Sequence, residues 1–160
     1  MLTLAKYSIG VGDRFAHQAE AQLRACILAA EQGVDVIPVW NKSFREHSII
    51  GSQPASAREA ADAAAGRLGW NKPYHVDADH INLSTVDGFV DCCDFFTLDV
   101  ADWIGKAAGP AGVRAAVKEA GKIYRRILEK RGQTPFITEV SMDETDRPQT
   151  PQEPGARFSA

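Results

Sequence analysis

The chain has 160 residues, 44% hydrophobic and 24% charged, with a net charge of −3, the composition of one globular domain with a single core. Its basic residues are dispersed among acids, which excludes the stripe of a nucleic-acid binder, and no apolar run approaches the ~18 residues of a membrane span. Cys26, Cys92 and Cys93 lack paired spacing, which argues for a reducing compartment over a disulfide or zinc framework; with no signal-peptide pattern at the N-terminus, the expected location is cytoplasmic.

Short apolar strands alternate with amphipathic helices. Residues 6–11 (KYSIGV) read as a strand, followed by a lone G-x-G that is weak evidence for a nucleotide site. Residues 16–32 carry the helical stripe Ala19, Leu23, Cys26, Ile27, Ala30. Residues 35–40 (DVIPVW) form a buried strand in which Pro38 predicts an edge or a bulge. Ser56 and Glu59 have the spacing of a capping box for the next helix, which Gly69 ends. Residues 74–80 (YHVDADH) are a third strand, 85–93 a short helix capped by Ser84, and 95–101 (FFTLDVA) a fourth strand. A long helix over 113–131 ends in Lys130 and Arg131, suited to the negative end of its dipole. Residues 135–140 (PFITEV) give a fifth strand. The pattern predicts one domain over 1–144 and a Pro- and Gln-rich tail over 145–160.

Four strand–helix units and a spare strand imply a parallel sheet with right-handed crossovers. The expected fold class is α/β, a partial (β/α) barrel, since a whole one takes about 250 residues. In such folds the C-terminal strand ends face one side, where ligands bind. Here those ends carry Lys42 and Arg45 after the second strand, Asp77, Asp79 and His80 in the third, Asp99 after the fourth and Glu139 in the fifth.

Each has a plain alternative. Asp77 or Asp79 can hold a loop amide. Lys42 and Arg45 either receive an anionic substrate group or sit in a solvated turn. His80 points away from Asp79 in a regular strand and joins it only if the chain bends. Glu139 interrupts an apolar strand, where an unpaired carboxylate is costly.

The segments KYSIGVGDRF, PVWNKSFREHSIIG, PYHVDADHINLSTVD, FFTLDVADWIGK and EVSMDETDRPQTP together resemble the tagaturonate/fructuronate epimerase family, metal-dependent hexuronate epimerases. The resemblance implies that Asp79 is the proton acceptor, His80 a ligand of a divalent metal cation, and Glu139 the proton donor. Two further histidine ligands are expected beyond residue 160. The implied substrate is a small sugar acid whose inverting carbon is not next to the ketone, so enolisation alone cannot epimerise it. A retro-aldol opening and re-addition can, with the metal as Lewis acid and the carboxylates exchanging protons. The alternatives are a metal-dependent aldolase, another sugar isomerase, or a non-catalytic homologue. An incomplete barrel exposes strand edges and apolar surface, which predicts a homo-oligomer.

Overall fold

The computed structural model describes residues 2–106 and 110–142; the tail expected from residue 145 lies outside them. Five strands form one sheet: β1 (Ser8–Gly12), β2 (Ile37–Ser43), β3 (His75–Ile81), β4 (Phe95–Asp99) and β5 (Ile137–Ser141). Every pairing is parallel and the order is sequential, β1-β2-β3-β4-β5. This is how a (β/α) barrel lays its strands, and the expected fold class stands.

The helices are α1 (Ala19–Glu31), α2 (Phe44–Ile50), α3 (Ala55–Leu68), α4 (Ala101–Lys106) and α5 (Pro110–Arg131). Alternation along the strands divides the sheet into two faces. Trp40, Val76, Ala78, Phe96 and Leu98 join Leu23 of α1, Ala61 and Ala64 of α3, and Ile123 and Ile127 of α5 in the main core. Alanines on α3 let it sit close to α1 and the sheet. The opposite face is apolar at its N-terminal end, with Val39 and Phe95, and polar at its C-terminal end, with Ser43, Asp79, Thr97, Asp99 and Glu139.

Several boundaries differ from the sequence reading for local reasons. Helix α1 begins three residues late, because Ala16 is left-handed (φ 55°) and Asp13 accepts the amides of Phe15 and Gln18. Strand β2 continues to Ser43, and Pro38 lies on an interior strand without a bulge. The Ile37 amide donates to Tyr7 of the β1 side, so position 38 faces β3, whose ladder begins only at Val39; its missing donor is not needed.

The capping box forms elsewhere. Ser43 and Glu46 exchange both capping bonds at the start of α2, whereas Pro54 precedes α3 and Ser56 lies inside it, donating to the Gln53 carbonyl. Gly51 and Gly69 close α2 and α3 in the left-handed conformation (φ 68° and 61°), which glycine adopts without steric cost. The helix expected over 85–93 is a single 3-10 turn, Val86–Gly88. Asn82 rather than Ser84 organises its entry, its Oδ1 accepting from the Ser84 amide and hydroxyl. The G-x-G has a packing role: a Cβ on Gly12 would meet Asn41 Oδ1 at 3.1 Å.

At the N-terminal end of β3, Asp94 ties three elements together. It accepts from the Val76 amide (2.8 Å) and Arg58 of α3 (2.6 Å) and pairs with His75 Nδ1 (2.9 Å). Burial opposes its ionisation, but His75, the amide and Arg58 together hold its carboxyl below the usual range. No helix among the described residues is long and apolar enough to cross a membrane.

Candidate functional site

The third strand does bend, at the DADH segment. Ala78 pairs with Phe96 and the next registered pair is Ile81 with Leu98, so Asp79 and His80 together oppose the single residue Thr97. This is a β-bulge, the usual device for re-aiming a side chain near a site. His80 takes up the turn with φ 48°, a left-handed conformation that costs a non-glycine residue about 1–2 kcal/mol. As a result Asp79 and His80, which a regular strand would send to opposite faces, line the same cavity.

That cavity has a volume of about 330 Å³ and stands at the C-terminal edge of β2, β3 and β4, walled by Ser43, Arg45, Glu46, Asp79, His80 and Asp99, with Asn82 and Thr85 at its side. The His80 ring lies between carboxylates, Nε2 3.8 Å from Asp79 and Nδ1 4.0 Å from Asp99. His80 Nδ1 is buried without a hydrogen-bond partner. Asp99 also accepts the Ala101 amide at 3.0 Å, which fixes it at the start of α4. Arg45 is exposed and forms no hydrogen bond or ion pair among the described residues.

Below this rim, on the same face, lies a second polar tier. Asp77 is 5% exposed. Its Oδ1 accepts the Thr97 amide (3.1 Å) and its Oδ2 contacts the Thr97 hydroxyl (2.9 Å), which is also 3.2 Å from Glu139 Oε1. Burial pushes the Asp77 carboxyl up to about 7, against the Thr97 hydrogen bonds and with help from the negative charges of Asp79 and Glu139.

The structure thus brings Arg45, Asp79 and His80 together at one cavity and joins Asp77 to Glu139 beneath. Glu139 does not line the cavity. Lys42 stands apart: alternation turns it to the helix side of β2, where it borders a space of about 20 Å³ with Val11, Ala57 and Ala60. Its ammonium is buried without a hydrogen bond, and burial lowers its pKa against the pull of Glu46 and Asp13. Nearby His47 is pushed down to about 4, first by burial and then by the Lys42 charge. Thr97 and the pairing of Asp99 with His80 escaped the sequence reading; the signal for both is the alternation Phe95, Thr97, Asp99 along β4.

His80 offers one free ring nitrogen, but among the described residues no three His, Cys, Asp or Glu side chains are grouped to hold a metal ion. A transition-metal site normally needs about three protein ligands, so the described residues supply a donor and not a complete site.

No curated protein matches the sequence. Among solved structures, the native fructuronate-tagaturonate epimerase UxaE from Cohnella laeviribosi is 21% identical, with a TM-score of 0.71 over 96% of this chain and 40% of that one. A two-glycerol complex of the same enzyme gives 19%, 0.70, 96% and 40%, and a one-glycerol complex 20%, 0.67, 89% and 38%. These likenesses concern the fold, and the chain spans about 40% of the length of those proteins. Residues 1–113 match the UxaE tagaturonate epimerase family, a match that takes in β1 to β4 and the whole cavity wall, and the chain belongs to that family.

Proposed function

We propose that this chain carries the proton-handling wall of a tagaturonate–fructuronate epimerase. The observation that supports this reading is the bulge that delivers Asp79 and His80 to one cavity beside Arg45 and Asp99. A hexuronate is an anion, and Arg45, unengaged at the cavity mouth, presents a planar donor pair suited to its carboxylate. Asp79 takes the proton from the hydroxyl on the inverting carbon. The bond to the neighbouring carbon then opens, leaving an aldehyde and an enediolate; re-addition to the other aldehyde face gives the epimer, and Glu139, which stands off the cavity wall, returns a proton to the new alkoxide through an intervening water. A divalent cation belongs to this proposal with His80 as one donor, its other donors lying outside the described residues. So does self-association, since β1 and β5 are sheet edges and an apolar groove of about 450 Å³ runs between β5, α4 and α5.

A metal-dependent aldolase or other sugar isomerase would use the same first step. A non-catalytic homologue is favoured by one observation: among the described residues no three side chains are grouped to hold a metal ion. Product analysis separates these readings. The chain alone should bind divalent metal weakly and turn over little. Combined with the remaining part of a family member's barrel it should interconvert the two hexuronates, and Asp79→Asn there should lower turnover ~10²–10⁴-fold, the usual worth of a positioned acid or base, with metal still held. Intact turnover in Asp79→Asn would remove Asp79 from the mechanism.

A further inference from the structure

We propose that Asp77 and Glu139 hold a single proton between them across the Thr97 hydroxyl, so that Thr97 is a positioning residue through which Asp77 resupplies Glu139. This rests on the reading of Glu139 as proton donor given above. A threonine hydroxyl carries one proton and two lone pairs. Thr97 Oγ1 stands 2.9 Å from Asp77 Oδ2 and 3.2 Å from Glu139 Oε1, so it touches two carboxyl oxygens with one proton to give. With both carboxylates ionised, one contact is a hydrogen bond and the other sets acceptor against acceptor, an arrangement costly for the buried partner. One additional proton turns both contacts into hydrogen bonds: the carboxylic acid donates to Thr97 and Thr97 donates to the carboxylate.

The two ends are unequal. Asp77 is buried and Glu139 exposed, so desolvation places the proton on Asp77, whose carboxyl is pushed up to about 7. Among the described residues the leading charged and titratable groups acting on Asp77 are Asp79 on its own strand and Glu139 on β5, with the Cys93 thiol before β4 nearby. The Thr97 amide on Asp77 Oδ1 (3.1 Å) fixes the carboxyl plane toward the hydroxyl. From the resting state, with the proton on Asp77 and Glu139 ionised, the Asp77 Oδ2–H bond breaks as that proton passes to Thr97 Oγ1, and Thr97's own proton passes to Glu139 Oε1, which is then loaded to donate. Thr97 ends neutral, Asp77 ionised and Glu139 protonated, with no change of oxidation state.

The test is a carboxyl-carbon NMR titration of the chain, which involves no turnover. In the wild type the Asp77 carbon should titrate near 7, and the Glu139 carbon should show a deflection at that same midpoint. Thr97→Ser, which keeps the hydroxyl, should preserve both. Thr97→Val should shrink the Glu139 deflection to the part that charge repulsion alone transmits and move the Asp77 midpoint up, because a donor to its charged form is gone. Glu139→Gln should move it down, because a repelling charge is gone. A Glu139 deflection of undiminished size in Thr97→Val, or an Asp77 carbon that titrates in the ordinary carboxylate range, overturns the relay. Failure of the epimerase assay overturns only the functional reading, since the titration is independent of it.

Discussion

Replacing Asp77 by Asn should change how the stability of this fold depends on pH. In the folded chain the Asp77 carboxyl is pushed from 3.8 up to about 7, so between those values the folded state holds a proton that the unfolded chain has released. Stability from this group is fully present below 3.8 and is lost as pH rises toward 7. A shift of about three units at ~1.4 kcal/mol each gives ~4 kcal/mol across the window. His47 works the other way. It is pushed from 6.5 down to about 4, so the unfolded chain binds the extra proton and stability rises with pH over that interval, by ~3 kcal/mol.

From pH 4 to 6.5 the two slopes oppose each other at ~1.4 kcal/mol per unit, and the wild type should show little dependence from these groups. Asp77→Asn removes the falling slope and should leave stability rising by ~3 kcal/mol over the interval. His47→Gln should show the reverse. The assay is urea unfolding at half-unit steps of pH, compared as differences from wild type so that other carboxylates such as Asp94 contribute equally to both curves. Parallel curves for wild type and Asp77→Asn would falsify the assignment of a protonated, buried Asp77.

At the bulge, His80→Gly should be about 1 kcal/mol more stable than His80→Ala, because both lose the ring and only glycine accepts φ 48° without strain; urea midpoints compare them, and an equal pair denies the strain. Ser43→Ala removes the side-chain half of the α2 capping box, the bond from the Glu46 amide, and leaves the residue-43 amide free to donate to Glu46; it should cost ~1 kcal/mol in the same assay. Lys42→Met should hold or raise stability, since it replaces a buried ammonium without a hydrogen bond. It should also move the His47 midpoint up, as one source of its depression is gone; a strongly destabilised Lys42→Met protein would mean the ammonium has a partner.

Strand order and fold class were readable because they depend on the helix-facing half of each strand, where apolar side chains repeat with the right period. Trp40, Val76, Ala78, Phe96 and Leu98 are the residues that hydropathy sees. The opposite half is hidden at its C-terminal end, because a strand lining a polar cavity looks like a loop. Asn41, Lys42 and Ser43 therefore read as a turn, although all three lie in β2. The same error moved the capping box. Ser43 and Ser56 each precede a glutamate by three residues, but Ser43 leaves a strand with extended backbone (φ −84°, ψ 161°), whereas Ser56 follows Pro54, already helical at φ −51°. An N-cap needs the extended form, and that depends on where the preceding strand ends.

Lys42 shows the same dependence on register at the site itself. A cation two positions past a strand core looks available to an anion, but once β2 runs to Ser43, alternation sends position 42 to the helices and position 43 to the cavity. The bulge acts in the opposite sense on β3. Strict alternation would keep Asp77 and Asp79 on the cavity side and turn His80 away; one inserted residue restores His80 while leaving Asp77 in register with Phe95. The irregularity therefore separates the face into two tiers. Asp77 lies just before the break, in register with Phe95 and buried, so its carboxyl is pushed up to about 7. Asp79 and His80 lie where it is broken, open to the cavity. Two carboxylates two residues apart on one strand thus sit in different environments, the condition under which an acid and a base can be told apart, and a single bulge between residues 78 and 81 separates them.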